Sequence, residues 1–138
     1  MAENVLVDTN VWLDVINDDP AWYGWSAEQL DRVARSGAAA INVVTFAELS
    51  VRYERIDDFE NAIGPFGIDR LQMPFEAGFL AAKAFQQYRR RGGTKRNTLP
   101  DFFIGAHAAV SGLTLLTRDA RRYREYFPKL KLIAPDGG

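Results

Sequence analysis

Apolar residues in this chain come in short bursts cut by polar breaks, and the bursts follow two different periods. Val5-Leu6-Val7, Ala40-Ile41-Asn42-Val43-Val44, Leu113-Thr114-Leu115-Leu116-Thr117 and Leu130-Lys131-Leu132-Ile133 are brief runs, several rich in β-branched residues, and they read as strands. Leu71-Gln72-Met73, closed by Pro74, is a weaker one. Between them the spacing is helical. A helix is expected after Asp8-Thr9-Asn10, carrying Val11-Trp12-Leu13 and Val15-Ile16, with a turn over residues 17–20. Ser26 is the expected cap of the next helix, which has Glu28 in its first turn and stops at Gly37. Thr45 followed by Glu48 matches a capping box. Asp57 or Asp58 opens a short helix that ends near Gly64.

Residues 75–91 form the longest predicted helix, with Phe75, Phe79, Ala82, Phe85 and Tyr88 as its apolar stripe and Gly92-Gly93 as its end. Pro100 opens a helix over residues 101–111 that Gly112 stops, and residues 120–126 form a last one. Strands separated by helices imply an α/β fold, a parallel sheet covered on both faces. The 138 residues make one expected domain over residues 1–138, long enough to bury a core, without repeats or linkers.

Composition narrows the chemistry. The chain has no cysteine, so a disulfide framework and a thiolate metal site are excluded. Met1-Ala2-Glu3-Asn4 lacks a basic region followed by a long apolar stretch, and no run approaches the ~20 apolar residues of a membrane span, so a cytosolic location is expected. The net charge of −1 hides an asymmetry. Residues 1–82 carry five Lys/Arg against fourteen Asp/Glu; residues 83–138 carry twelve against four. Such a split suits an anionic ligand at one surface and a metal or basic partner at the other, and solvated helix faces give the same pattern.

Four acids stand out by position. Asp8 follows the first strand, Asp119 follows the fourth by two residues, and Glu48 and Asp101 lie in the first turns of predicted helices. An open parallel sheet gathers such positions at its carboxyl edge, beside the point where strand order reverses. Taken singly each acid has an ordinary explanation: a helix start, a capping box, a helix dipole, a closed turn. Together they repel and call for a cation, and hard oxygen ligands suit Mg²⁺ or Mn²⁺.

These stretches carry a resemblance. Val5-Leu6-Val7-Asp8-Thr9-Asn10, Thr45-Phe46-Ala47-Glu48-Leu49, Pro100-Asp101-Phe102-Phe103-Ile104-Gly105-Ala106 and Leu116-Thr117-Arg118-Asp119, in that order, resemble the PIN-domain ribonucleases, and within them the VapC-type toxins of toxin–antitoxin pairs. The resemblance covers nearly the whole chain. It implies a three-layer α/β/α PIN-like domain with a central parallel sheet of four to five strands. It also implies a Mg²⁺- or Mn²⁺-dependent endoribonuclease that cleaves RNA and is inhibited by a cognate antitoxin occupying its site; a homodimer is expected. Asp8 and Asp101 look like direct metal ligands; Glu48 and Asp119 would hold a second ion or position a water. Thr117 resembles the family's hydroxyl near the site, and Thr9 or Asn10 would hydrogen-bond a carboxylate or phosphate.

Other functions want other residues. A phosphoacceptor receiver domain needs an acidic pair where Asp8 stands alone, and a dehalogenase-like phosphatase needs an Asp where Asn10 lies. Phosphate-cradling glycine-rich loops are missing. A catalytically silent PIN-like RNA-binding module would not need all four acids. His107, the sole histidine, lies six residues after Asp101 and about 120° around the helix, so a packed structural role is expected. Asp14, Asp18, Asp19, Asp57, Asp58 and Asp69 read as surface or turn acids. Lys83, Arg89, Arg90, Arg91, Lys95 and Arg96 precede Asp101, and Arg118, Arg121, Arg122 and Arg124 flank Asp119. Both runs suit a phosphate backbone, with Arg89, Arg90, Arg91, Lys95, Arg96 and Arg118 the candidate RNA contacts; solvated helix ends are the alternative. Trp12, Trp22, Tyr23 and Trp25 read as core, or as a groove for an antitoxin helix.

Overall fold

The computed structural model describes residues 3–95 and 98–135. Its elements run β1 (Val5–Val7), α1 (Thr9–Ile16), α2 (Tyr23–Arg35), β2 (Ala39–Ile41), α3 (Val43–Ser50), α4 (Ile56–Ile63), a 3₁₀ turn (Gly64–Phe66), β3 (Asp69–Arg70), α5 (Phe75–Arg90), α6 (Leu99–Ser111), β4 (Thr114–Leu116), α7 (Arg121–Tyr126) and β5 (Leu132–Ile133). The five strands are all parallel, in the order β3-β2-β1-β4-β5. Val5 pairs with Ala39 on one side and with Thr114 on the other. The chain therefore winds outward from β1 in one direction and then, from β4, in the other. The reversal falls between β1 and β4, where an open parallel sheet leaves a crevice at its carboxyl edge.

Successive residues of a strand point to opposite faces, and here both faces are buried. Val7 and Leu116 pack with Val11, Trp12, Leu30, Val33 and Phe59. Their neighbours Leu6 and Leu115 pack on the opposite face with Ala77, Ala81, Ala84, Phe102, Ile104 and Tyr123. That explains why the strands read as unbroken apolar runs, and it makes three layers, α/β/α. Among the described residues no helix is long and apolar enough to cross a membrane.

Several expected boundaries shift. Helix α2 begins at Tyr23, with the Asp19 carboxylate accepting from Ala21 N and Trp22 N just ahead of it; Ser26 is buried inside the helix. Helix α3 is capped by Asn42, whose Oδ1 accepts from Val44 N and Thr45 N, so Val43 and Val44 leave the strand and no capping box forms between Thr45 and Glu48. The third strand is Asp69–Arg70, two residues earlier than expected, although Leu71 N still donates to Ile41 O. On α5 the buried stripe is Ala77, Ala81 and Ala84. Small side chains let α5 lie close against the sheet and α6, whereas Phe75 and Phe79 are 94% and 68% exposed. Phe85 and Tyr88 are half-buried against the core, as the stripe predicts.

Candidate active site

Asp8 is where β1 stops. Its backbone is extended, its Oδ1 accepts from Thr9 N at 2.7 Å to cap α1, and only 3% of it is exposed. Oδ2 accepts from the Thr117 hydroxyl at 2.8 Å, the Tyr123 hydroxyl at 2.9 Å and the Asn10 amide at 3.3 Å. Thr117 arrives there because β4 runs beside β1 and ends one residue before it. Burial pushes the Asp8 carboxyl up to about 7; the charge of Asp101 adds to this, and the three donors Thr117, Tyr123 and Thr9 N oppose it.

Glu48 reaches the same place from α3. The Thr9 hydroxyl donates to its Oε1 at 2.7 Å, so a single residue, Thr9, holds Asp8 through its backbone N–H and Glu48 through its side chain. Because α3 starts at Asn42, Glu48 lies in its second turn, and helix capping cannot account for it. Asp101 sits in the first turn of α6, half-buried, with Arg122 Nη1 2.8 Å from its Oδ2. Burial raises its pKa; Arg122 works against that, and the charges of Glu48 and Asp119 add to it. Asp119 is exposed at the mouth, and its backbone N–H donates to the Thr117 hydroxyl at 3.2 Å. The four acids thus lie within electrostatic reach along one rim. Among the described residues, however, no three Asp, Glu or His side chains converge closely enough to hold an ion as they stand.

Beside Asp119 opens a cleft of about 660 Å³ with a basic lining: Arg91, Lys95, Arg118, Arg121 and Arg122, along with Tyr88 and Tyr126. Of the candidate RNA contacts, Arg91, Lys95 and Arg118 face this cleft. Arg89 and Arg90 are exposed on the last turn of α5 but do not line it, and Arg96 lies outside the described residues. Arg91 is partly engaged by Glu125 at 3.9 Å.

Three residues were misread or missed. Asp14 is no surface acid: it is 2% exposed, accepts from Ser26 Oγ at 2.7 Å and pairs with Arg118 Nε at 2.8 Å, whose guanidinium lies over Trp22. Its place three residues before a turn hides this, since the partner is 104 residues away. Tyr123 is 2% exposed, and burial followed by the Asp8 charge raises its own pKa, so it stays a donor. Only its position four residues after Asp119 could have hinted at the site. Arg122 belonged to a noted basic cluster but not to the site list. His107 is 1% exposed, and its Nδ1 lies 3.1 Å from the Asn42 amide, so it supports the residue that caps α3. Burial lowers its pKa, leaving a neutral ring. Trp12 is core, while Trp22 and Trp25 meet edge to face near the surface.

The PIN domain sequence profile matches residues 5–127 of this chain. No curated protein matches it. Several solved structures share the fold. A DNA-bound VapBC from Salmonella typhimurium is 18% identical, with a TM-score of 0.69 and coverage of 96% of this chain and 98% of that one. VapBC2 from Rickettsia felis, bound to a fragment of its promoter, is 20% identical, with a TM-score of 0.67 over the same shares. A toxin–antitoxin complex from Klebsiella pneumoniae is 18% identical, with a TM-score of 0.63 over 94% and 96%. At these identities the likeness is one of fold.

Proposed function

The chain belongs to the PIN domain family, and on that premise we propose that it is a Mg²⁺- or Mn²⁺-dependent endoribonuclease, the toxin of a toxin–antitoxin pair. The observation that carries this reading is the state of Asp8. A carboxyl buried at the β1–β4 switch point, with four donors on its oxygens and the charge of Asp101 beside it, which Glu48 and Asp119 in turn approach, gathers negative charge that a cation would balance. The donor set fits a hard divalent cation: carboxylate oxygens from Asp8, Asp101, Glu48 and Asp119, no thiolate, and the one histidine committed to Asn42.

Asp8 and Asp101 would hold the ion, with Glu48 and Asp119 beside them. When bound, the ion supplies charge stabilisation at the phosphate and an activated water. The rest falls to the chain's own groups. Thr117, Tyr123 and Asn10 fix the orientation of Asp8, and Thr9 fixes Glu48. The basic cleft beside Asp119 would take the phosphates of a single strand. An antitoxin partner is supported by the similar fold of VapBC and of the Klebsiella toxin–antitoxin complex. A homodimer is supported by the exposed Phe75 and Phe79 on α5, apolar surface that an isolated chain leaves in water. A cytoplasmic location goes with this reading, since the substrate would be cellular RNA.

The test is to incubate purified protein with total RNA plus Mn²⁺ or Mg²⁺, or plus EDTA, and to map the new ends. Discrete ends that require the cation and vanish in Asp8→Asn and Asp101→Asn are expected. Cleavage that persists in EDTA or in Asp8→Asn overturns the reading.

A further inference from the structure

Arg122 is the cation nearest the acids, and it is built in rather than adventitious. Its guanidinium donates from Nη1 to Asp101 Oδ2 at 2.8 Å, and Asp101 is its only carboxylate partner among the described residues. The guanidinium carbon also lies over two rings, 5.4 Å from the centroid of Tyr88 and 5.9 Å from that of Phe102. Phe102 is fully buried, and the two rings pack against each other with centroids 5.6 Å apart, so the seat is rigid. A quarter of the Arg122 side chain remains exposed, on the side that lines the cleft next to Asp119. Arg122 therefore touches an acid inside the rim and faces the place where an anionic strand would run. It also opposes the rise in the Asp101 pKa that burial, Glu48 and Asp119 cause.

A guanidinium and a divalent cation make competing claims on one carboxylate, since each is stabilised by its charge and the two cations repel each other. With Asp101 committed to Arg122, no three acids of the described residues close up. We propose that Arg122 is a positioning residue of the cleft: it holds Asp101 until a divalent cation claims that carboxylate, and then, still seated on Tyr88 and Phe102, turns its freed N–H groups to a substrate phosphate. Guanidinium suits this exchange because it carries five donors in a planar fork and accepts carboxylate or phosphate alike. The inference rests on reading the cleft as a metal-dependent nuclease site.

The two arms of the exchange have opposite signs, which a merely structural role would not produce. Arg122→Gln frees Asp101 and removes a repelling charge, so Mn²⁺ should bind more tightly, by roughly fivefold, the size expected when a partly exposed ion pair no longer competes. The same variant should bind RNA less well, raising KM several-fold more than it lowers kcat. Calorimetric titration of the metal-free protein with Mn²⁺ reads the first arm without any turnover. Arg122→Lys keeps the charge without the fork and should fall between wild type and Arg122→Gln in both readouts; it serves alone if Arg122→Gln does not fold. Mn²⁺ affinity equal to or weaker than wild type, in whichever variant melts like wild type, overturns the exchange. If wild type itself takes up no Mn²⁺, it is the metal-dependent reading of the cleft that fails, and the exchange with it.

Discussion

At the scale of single residues, Asp8 makes the sharpest prediction. Its carboxyl sits near 7 in the folded chain, against 3.8 for an unperturbed aspartate. Between those values the unfolded chain has released a proton that the folded chain keeps, so lower pH favours folding. The contribution is fully present below about pH 4, is lost as pH rises toward 7, and stays lost above. His107 works the other way. Its pKa is lowered by burial, so as pH falls below 6.5 the unfolded chain takes up the proton first and stability declines. Melting curves of wild type alone mix the two, whereas comparison with Asp8→Asn separates them. Without metal, the melting temperature of Asp8→Asn minus that of wild type should increase from about pH 4 to about pH 8 by several degrees, at ~3–5 °C per kcal/mol for a chain of this size. A difference that does not change with pH would mean that Asp8 ionises normally. Tyr123→Phe should push the Asp8 midpoint still higher, because one donor to the charged form is lost; the carboxyl carbon shift in an NMR titration reads that midpoint directly.

At the scale of elements, the site depends on how closely α6 and α7 approach. Gly105 on α6 leaves no room for a side chain: a Cβ there would lie 2.6 Å from the Phe127 ring and 3.0 Å from Tyr123. That seam lets Tyr123 reach Asp8 and Arg122 reach Asp101. Gly105→Ala should cost about 1–3 kcal/mol by overpacking and slow RNA cleavage as α7 is displaced. Unchanged melting would show that the seam yields freely. The elements themselves were largely legible, because strand and helix periods differ and glycines such as Gly112, at a φ of 67°, stop helices at left-handed positions. What the sequence concealed were choices between equivalent caps and faces. Asn42 and Thr45 both cap well, and the β-branched Val43-Val44 favoured the later one; His107, 65 residues away, sides with Asn42. On α5 hydrophobicity pointed to the phenylalanines, but close packing selected Ala77, Ala81 and Ala84. That Asp8 and Asp119 come near each other was legible, because β1 and β4 end side by side; Glu48 and Asp101 come within reach from helices α3 and α6. Asp14, Tyr123 and Arg122 were not legible, because their roles depend on partners that only the packed chain supplies.

At the scale of the whole molecule, the charge asymmetry acquires a location. Residues 83–138 carry twelve Lys/Arg and only four acids, two of which are Asp101 and Asp119. The basic part of the chain therefore surrounds half of the acid rim, and five of its cations line one cleft. On the proposed reading, acids that would bind a cation would also repel an RNA phosphate, and a basic surround of this kind would offset that repulsion. Not every basic residue lines the cleft: Arg89 and Arg90, exposed on the last turn of α5, are not among the lining residues. Salt dependence tells the two groups apart. Each phosphate contact on a single strand contributes a slope of about 0.7 in log affinity against log salt, so replacing Arg91, Lys95 and Arg121 together by Ala should flatten the slope by up to ~2. Replacing Arg89 and Arg90 should change it by well under ~1. Binding is best measured with Asp8→Asn, so that the strand survives the titration. If the Arg89 and Arg90 pair carries the larger slope, the strand crosses the outer face of α5 and the cleft beside Asp119 is not its path.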